Sequence, residues 1–307
     1  MLKYVVKRVL MGVLTIFVLA TVVFFLMHAL PGSPFDSDKI TDPRVLEIIE
    51  AHYNLDKPIF EQYILYLKGI LFEGDWGASF KKAGMLVSEM ISRLMPVTAR
   101  VGAVALVVAL VMGVSLGIIA ALSRSQLVKS SIVVFATIGI SVPSFLLALL
   151  MIYLFAVELG WLPTMGLTTW KHYIMPTFAL SCHPIAFLSR MTRSTLNEVL
   201  RQDYIVMARS KGLSKVTVTV RHALKNALLP VVTYAGPLTA NLLTGSFVTE
   251  TMFSIPGIGR EFVTAINGRD YPVIMGLIIF LGAIVVLMNL LSDIAAAVVD
   301  PRIRLDK

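Results

Sequence analysis

Few residues in this chain have side chains able to do chemistry, and they are scattered. His183 stands between Cys182 and Pro184, Ser141 and Ser144 flank Val142-Pro143, and Asp293 is isolated in an apolar run. A thiol or hydroxyl becomes a nucleophile, and an imidazole a metal ligand, only with a base or further ligands in reach. The single cysteine excludes a disulfide framework within the chain and a multi-cysteine metal site. No His-Glu-x-x-His zinc pair occurs, and no Gly-x-x-x-x-Gly-Lys-Ser/Thr loop is present to cradle a nucleotide. The chain is expected to be non-catalytic and to bind no cofactor or metal itself. A histidine at membrane depth is still a functional candidate. Its bland reading is a hydrogen bond to a carbonyl freed by Pro184.

The composition says where these residues sit. The 307 residues are 57% hydrophobic and 15% charged, against about 25% charged in a soluble domain. Six runs approach the roughly 20 apolar residues that cross a bilayer: 9–30, 101–123, 130–157, 172–189, 226–249 and 271–292. They do not alternate as barrel strands do. An all-α integral membrane protein with six spans is expected. The first run is too long for a signal peptide and is expected to be retained. With the N-terminus cytoplasmic, most of the Lys and Arg fall on one side, among them Lys3, Lys7, Arg8, Arg124, Arg190 and Arg193. The net charge of +8 then reflects membrane orientation and is no footprint for nucleic acid. Both termini are expected inside, and Asp293 is expected to be paired near that surface.

The segment 203–230 is the long basic interruption in the second half of the chain. Arg209, Lys211, Lys215, Arg221 and Lys225 face a single carboxylate, Asp203. It reads as two short helices around a turn. Asp203 is expected to cap the first, accepting from the N–H of Ile205 or Val206. Gly212 is expected to end it in the left-handed conformation, and Ser214 to cap the second helix. Val216, Val220, Leu224 and Leu228 recur every fourth residue as an apolar stripe, with Arg221 and Lys225 beside it. A hairpin with one apolar and one basic side is an interfacial or partner-docking element.

The pattern Asp203-Tyr204-x-x-x-Ala208-Arg209-x-Lys211-Gly212, closed by Leu228-Leu229-Pro230, resembles the cytoplasmic loop of the permeases of ABC importers. The Asp-Tyr pair in place of that family's glutamate is typical of its peptide-importing branch. The Leu30–Phe35 block, Gly74-Asp-Trp-Gly77, Ile255-Pro-Gly-Ile-Gly259, Gly268-Arg-Asp-Tyr-Pro272 and Asp300-Pro-Arg302 match it as well, so the resemblance covers nearly the whole chain. It is strongest to the first of the two oligopeptide permease subunits.

The resemblance implies a type I importer architecture in a bacterial or archaeal cell membrane. It implies a second homologous permease, two cytoplasmic ATPase subunits that use ATP and Mg, and an extracytoplasmic peptide-binding protein. It also implies docking on the ATPase by Asp203, Tyr204, Met207, Ala208, Arg209, Lys211 and Gly212, with Ala208 close against its groove. Dipeptides, nickel and glutathione are alternative cargoes in the same family. An intramembrane enzyme and a self-contained secondary transporter are the readings from other classes, and neither is expected.

Three parts are expected: residues 1–30 as cytoplasmic terminus and first span, 31–96 as an outer segment, and 97–307 as the core with five spans. The outer segment reads as two amphipathic helices and a turn at Asp75, Trp76, Gly77 and Ser79. Polar and helix-breaking residues at span depth are the candidates for the path: Ser141, Pro143, Ser144, His183, Asn241 and Thr244. Pro143 is expected to kink its span and free a carbonyl for neighbouring hydroxyls.

Overall fold

Apolar runs punctuated by proline, glycine and charge become helices throughout, with no strand among the described residues. The computed structural model describes residues 2–29, 34–35 and 43–299. The Leu30–Phe35 block lies mostly outside them, and the Asp300-Pro-Arg302 block wholly so. In chain order the helices begin with α1 (Leu2–His28), α2 (Pro43–His52) and α3 (Ile59–Lys68), the last continued by a wide π turn at Gly69–Glu73. The long α4 (Val87–Leu122) and α5 (Gln126–Ser141) follow, then α6 (Ser144–Met151), which runs on as a π-helix over Ile152–Glu158. Next come α7 (Lys171–Val199), α8 (Asp203–Ser210) and α9 (Lys215–Thr217), a π turn at Val218–Ala223, and α10 (Leu224–Ala227). The chain closes with α11 (Leu229–Leu243), α12 (Phe247–Met252), α13 (Ile258–Gly268) and α14 (Tyr271–Val299).

The six apolar runs do not become six straight membrane helices. Among the described residues three helices are long and apolar enough to cross alone: Val6–His28, Val87–Leu122 and Tyr271–Ala295. Two more candidates are bent pairs, α5 with Ser144–Glu158 at 105° and Lys215–Ala227 with Leu229–Met252 at 49°. The run 172–189 forms most of the 29-residue α7, yet α7 is not among the helices that pass on hydropathy. The reason is its content of polar residues, only part of which faces protein. Thr177, Ser181, Ser189 and Thr192 are all buried, and α4, α5, α6 and α11 pack on this helix.

The expected kink at Pro143 is a full break. Val142 is extended, at φ −83° and ψ 121°, as a residue before proline must be, and Pro143 then caps α6. The helix therefore stops and restarts instead of bending around one freed carbonyl. Ser141 and Ser144 donate to none of the described residues.

Small residues set how closely the central helices approach. A Cβ on Gly102 of α4 would lie 2.2 Å from the Leu242 carbonyl oxygen of α11. On Gly113 it would lie 2.7 Å from Leu188 Cβ, and on Gly117 2.5 Å from Thr192 Cβ, both on α7. Gly113-Val-Ser115-Leu-Gly117 also has the Gly-x-Ser-x-Gly spacing of a serine-hydrolase nucleophile. It lies mid-helix instead of on a strand-to-helix turn, Ser115 points outward and is exposed, and both glycines are spent on α7. Gly117→Val should force α4 and α7 apart at a backbone contact. Overpacking of this kind destabilises by about 1–3 kcal/mol, so the purified protein should melt several degrees lower in detergent. An unchanged melting temperature would refute the close contact.

The described part of residues 31–96 is fastened to the helices that follow it. Gly77 takes φ +83° in the expected turn, its N–H donating to Asp75 Oδ1 at 2.8 Å. Buried Ser79 donates to buried Asp270 at the α13–α14 junction, and Phe80 N–H donates to the same carboxylate at 3.0 Å. Lys82 pairs with Glu261 of α13. At the other end of the bundle Arg8 pairs with Asp293 at 3.0 Å, which fits the expectation of a paired Asp293.

Candidate docking and translocation surfaces

The hairpin after α7 is built on one small core. Leu196, Ile205, Ala208, Val218, Ala223 and Ala227 are buried together, and Thr195 of α7 donates to the Ala227 carbonyl at 2.8 Å. Two local expectations hold. Gly212 takes φ +77° with open space around its Cβ position, and Ser214 accepts from Thr217 N–H at 3.2 Å as a helix cap.

Three others are corrected. Ile205 and Val206 N–H donate to the Gln202 carbonyl, so Gln202 is the cap residue and Asp203 the first helical one. Its carboxylate still suits the positive end of the helix dipole. The apolar stripe is also displaced. Val216 and Val220 are 72% and 60% exposed, while Val218, Ala223 and Ala227 are buried. The π turn at Val218–Ala223 adds a residue to one turn, which moves the inward face off the fourfold spacing. Finally, Ala208 is only 8% exposed and faces the protein's own core. The outward face of α8 consists of Asp203, Tyr204, Val206, Met207, Arg209 and Ser210, followed by Lys211. Val206 is the docking candidate that sequence reasoning missed. Tyr204 is held in place by Asn226, whose Nδ2 donates to its hydroxyl at 2.8 Å.

The path candidates fall in three places. Ser141, Pro143 and Ser144 are exposed at the α5–α6 break, and His183 is exposed on α7. Asn241 is exposed and Thr244 half-buried at the end of α11. Thr244 donates to the Asn241 carbonyl at 3.1 Å, the only hydrogen bond that joins two of the six. His183 belongs to a longer open face with Phe187, Arg190, Ser194 and Glu198, at helical spacing along α7. Asn241 belongs to another with Pro230, Thr233 and Pro237 along α11. The two faces adjoin where the Phe187 and Tyr234 rings lie 4.6 Å apart. Phe187 was legible only as a helical neighbour of His183.

One polar site was not anticipated. Glu250 of α12 is 3% exposed. It accepts from Thr98 Oγ1 of α4 at 2.9 Å, from Arg260 N–H at 3.0 Å, and from Gly259 N–H. Thr98 Oγ1 in turn accepts from Ile258 N–H at 2.9 Å. The carboxylate thus sits on the first turn of α13, where dipole and free N–H groups favour it. The glycines of the Ile255-Pro-Gly-Ile-Gly259 block make the room. A Cβ on Gly257 would lie 2.5 Å from Glu250 Oε2, and one on Gly259 2.8 Å from the Phe247 backbone. This cradle locks α4, α12 and α13 together.

Comparison with known proteins shows the family. Residues 113–305 match the family model for the inner membrane component of binding-protein-dependent transport systems, and residues 1–102 match the model for the N-terminal part of such membrane components. The chain belongs to this family of transport permeases. It is 46% identical to the dipeptide transport system permease protein DppB of Bacillus subtilis (strain 168), over 100% of this chain and 99% of the relative. It is 43% identical to the oligopeptide transport system permease protein OppB of Salmonella typhimurium, over 99% and 100%. The oligopeptide transport system permease protein OppB of Escherichia coli (strain K12) is 42% identical over the same shares. The permease is thus alike from end to end to relatives of its own length, and its helices are those of a multi-pass membrane component.

Proposed function

We propose that this permease forms half of the translocation path of an ATP-driven peptide importer and couples ATPase closure to alternating access through α8. The observation that carries the reading is full-length similarity to relatives named for dipeptide and oligopeptide transport. The geometry supports its parts. α7 supplies the sixth span, with Thr177, Ser181, Ser189 and Thr192 buried against its neighbours and others of its polar residues on the open face. The adjoining open faces of α7 and α11 line the path together with a second, homologous permease. α8 is anchored by Ile205 and Ala208 and turns Tyr204, Val206 and Met207 outward, as a helix that seats in a groove of a partner must. Both termini and α8 lie in the cytoplasm, with the two ATPases that use ATP and Mg. The 31–96 side meets an extracytoplasmic binding protein.

Docking transmits work only if ATP-bound and ATP-free ATPases hold α8 differently. Closure then draws the two α8 helices together and opens the path outward. Hydrolysis resets it inward. The test is uptake of labelled trialanine by proteoliposomes holding both permeases, both ATPases and the binding protein. Uptake should need ATP on the α8 side and loaded binding protein on the other. ATP-driven uptake of another solute class with none of peptide would refute the cargo. Uptake with both ligands on one side would refute the orientation.

A further inference from the structure

We propose that the hollow at the α7–α8 junction binds the two charged ends of a peptide and is the last station before cargo leaves the permease; this rests on the peptide-import reading above. The hollow has a volume of about 690 Å³ and is lined by Arg190, Arg193, Asn197, Glu198, Arg201 and Asp203. Among the described residues none of these three guanidinium groups and neither carboxylate makes an ion pair or a side-chain hydrogen bond. Five charges of both signs therefore border one cavity and are left to an incoming ligand.

Their order along the chain is what selects the ligand. Arg190 and Arg193 stand toward the span, Glu198 and Asp203 toward α8, with Arg201 between the two acids. Five to eight residues separate the first pair from Glu198, about 8–12 Å of helical rise. An extended chain of two or three residues spans roughly 7–11 Å. A short peptide therefore reaches from one set to the other, its α-carboxylate on Arg190 and Arg193 and its α-ammonium on Glu198. No side chain of the cargo is needed for this fit, as suits a carrier of varied sequences. Arg190 and Arg193 also border a second cavity, of about 270 Å³, beside Ala136 and Ser189. The open face His183, Phe187, Arg190, Ser194 and Glu198 leads from the span directly into the hollow. A peptide held this way leaves N-terminus first.

The test uses the complete transporter in lipid nanodiscs, without ATP or binding protein, and reads peptide binding by saturation-transfer NMR. Trialanine should bind, and N-acetyltrialanine and trialanine amide should each bind about tenfold more weakly, the loss of one charge-assisted hydrogen bond. Arg190→Gln and Arg193→Gln together should erase the difference between trialanine and its amide. Glu198→Gln should erase the difference made by the acetyl group. Equal binding of all three peptides, or variants that keep both differences, would overturn the proposal. So would variants that instead shed the ATPases on co-purification, since the cluster would then be a docking surface. Trialanine uptake by the parent complex is measured alongside. Uptake with no terminus-dependent binding removes this inference alone; no uptake removes the import reading beneath it.

Discussion

A Met207→Glu permease should fold, insert and assemble its helices, and should fail to stimulate its ATPases. Met207 is 59% exposed on α8, beside exposed Tyr204 and Val206. Surface substitutions away from buried features change stability by about 0.5 kcal/mol or less, so the melting temperature of the isolated permease should stay put. In a docked complex the same carboxylate would be buried in an apolar contact. Loss of a central anchor of this kind removes about 2 kcal/mol or more, roughly a thirtyfold loss of affinity. Val206→Glu should behave alike.

Ala208→Glu is expected to fail for a different reason. Its carboxylate would enter the cluster of Leu196, Ile205, Val218, Ala223 and Ala227 with no partner. That destabilises the permease itself, by several kcal/mol. Gly212→Val is intermediate. Its Cβ meets nothing, so the effect is the conformational strain of φ +77°, about 1 kcal/mol or more, and a re-aimed α8. ATP hydrolysis stimulated by loaded binding protein, measured beside the permease's melting temperature, separates these classes. If Met207→Glu and Val206→Glu complexes are stimulated like the parent, the outward face of α8 is not the coupling surface.

Glu250→Ala is expected to be among the most destabilising single changes in the chain. It removes the acceptor for Thr98 Oγ1 and for the Gly259 and Arg260 N–H groups, and opens a void inside a cradle shaped by Gly257 and Gly259. Hydrogen bonds to a charged group are worth about 1.5–3 kcal/mol each, and buried donors left unmade carry their own penalty. A loss of about 3–5 kcal/mol is expected even with partial relaxation. Glu250→Gln keeps the shape but presents an amide NH₂ to N–H donors, so it should fall between alanine and the parent. Thr98→Val leaves Ile258 N–H without its acceptor but should lose less, because the two backbone donors keep their carboxylate. The order parent, Thr98→Val, Glu250→Gln, Glu250→Ala is to be read from thermal unfolding in detergent. Glu250→Ala melting with the parent would dismiss the cradle as a structural element.

Much of this protein is legible in residue order. Uninterrupted apolar runs can only be membrane helices or their fragments, because buried backbone polar groups must be paired within the segment. Gly212 and Ser214 declared the hairpin's turn and cap, since left-handed backbone and N-capping are local properties of glycine and serine. The family is carried by motifs that any reading of the chain meets.

What residue order left open required long-range contact. Ile205, Val206, Met207 and Ala208 are four apolar residues in a row on an eight-residue helix, so amphipathicity cannot choose its inward face. The core shared with α7 and the second limb of the hairpin chooses it. The π turn at Val218–Ala223 moved a stripe that a fixed 3.6-residue period had drawn elsewhere. At Ser141–Ser144 the residue types announced an interruption, but its 105° angle is set by what α6 packs against. Glu250 at the end of an apolar run reads as the return to water. It is buried because Thr98, 152 residues earlier, and the glycines beyond it converge on its carboxylate. Local conformation answers to neighbours in sequence; which side of a helix is inside answers only to the helices that cover it.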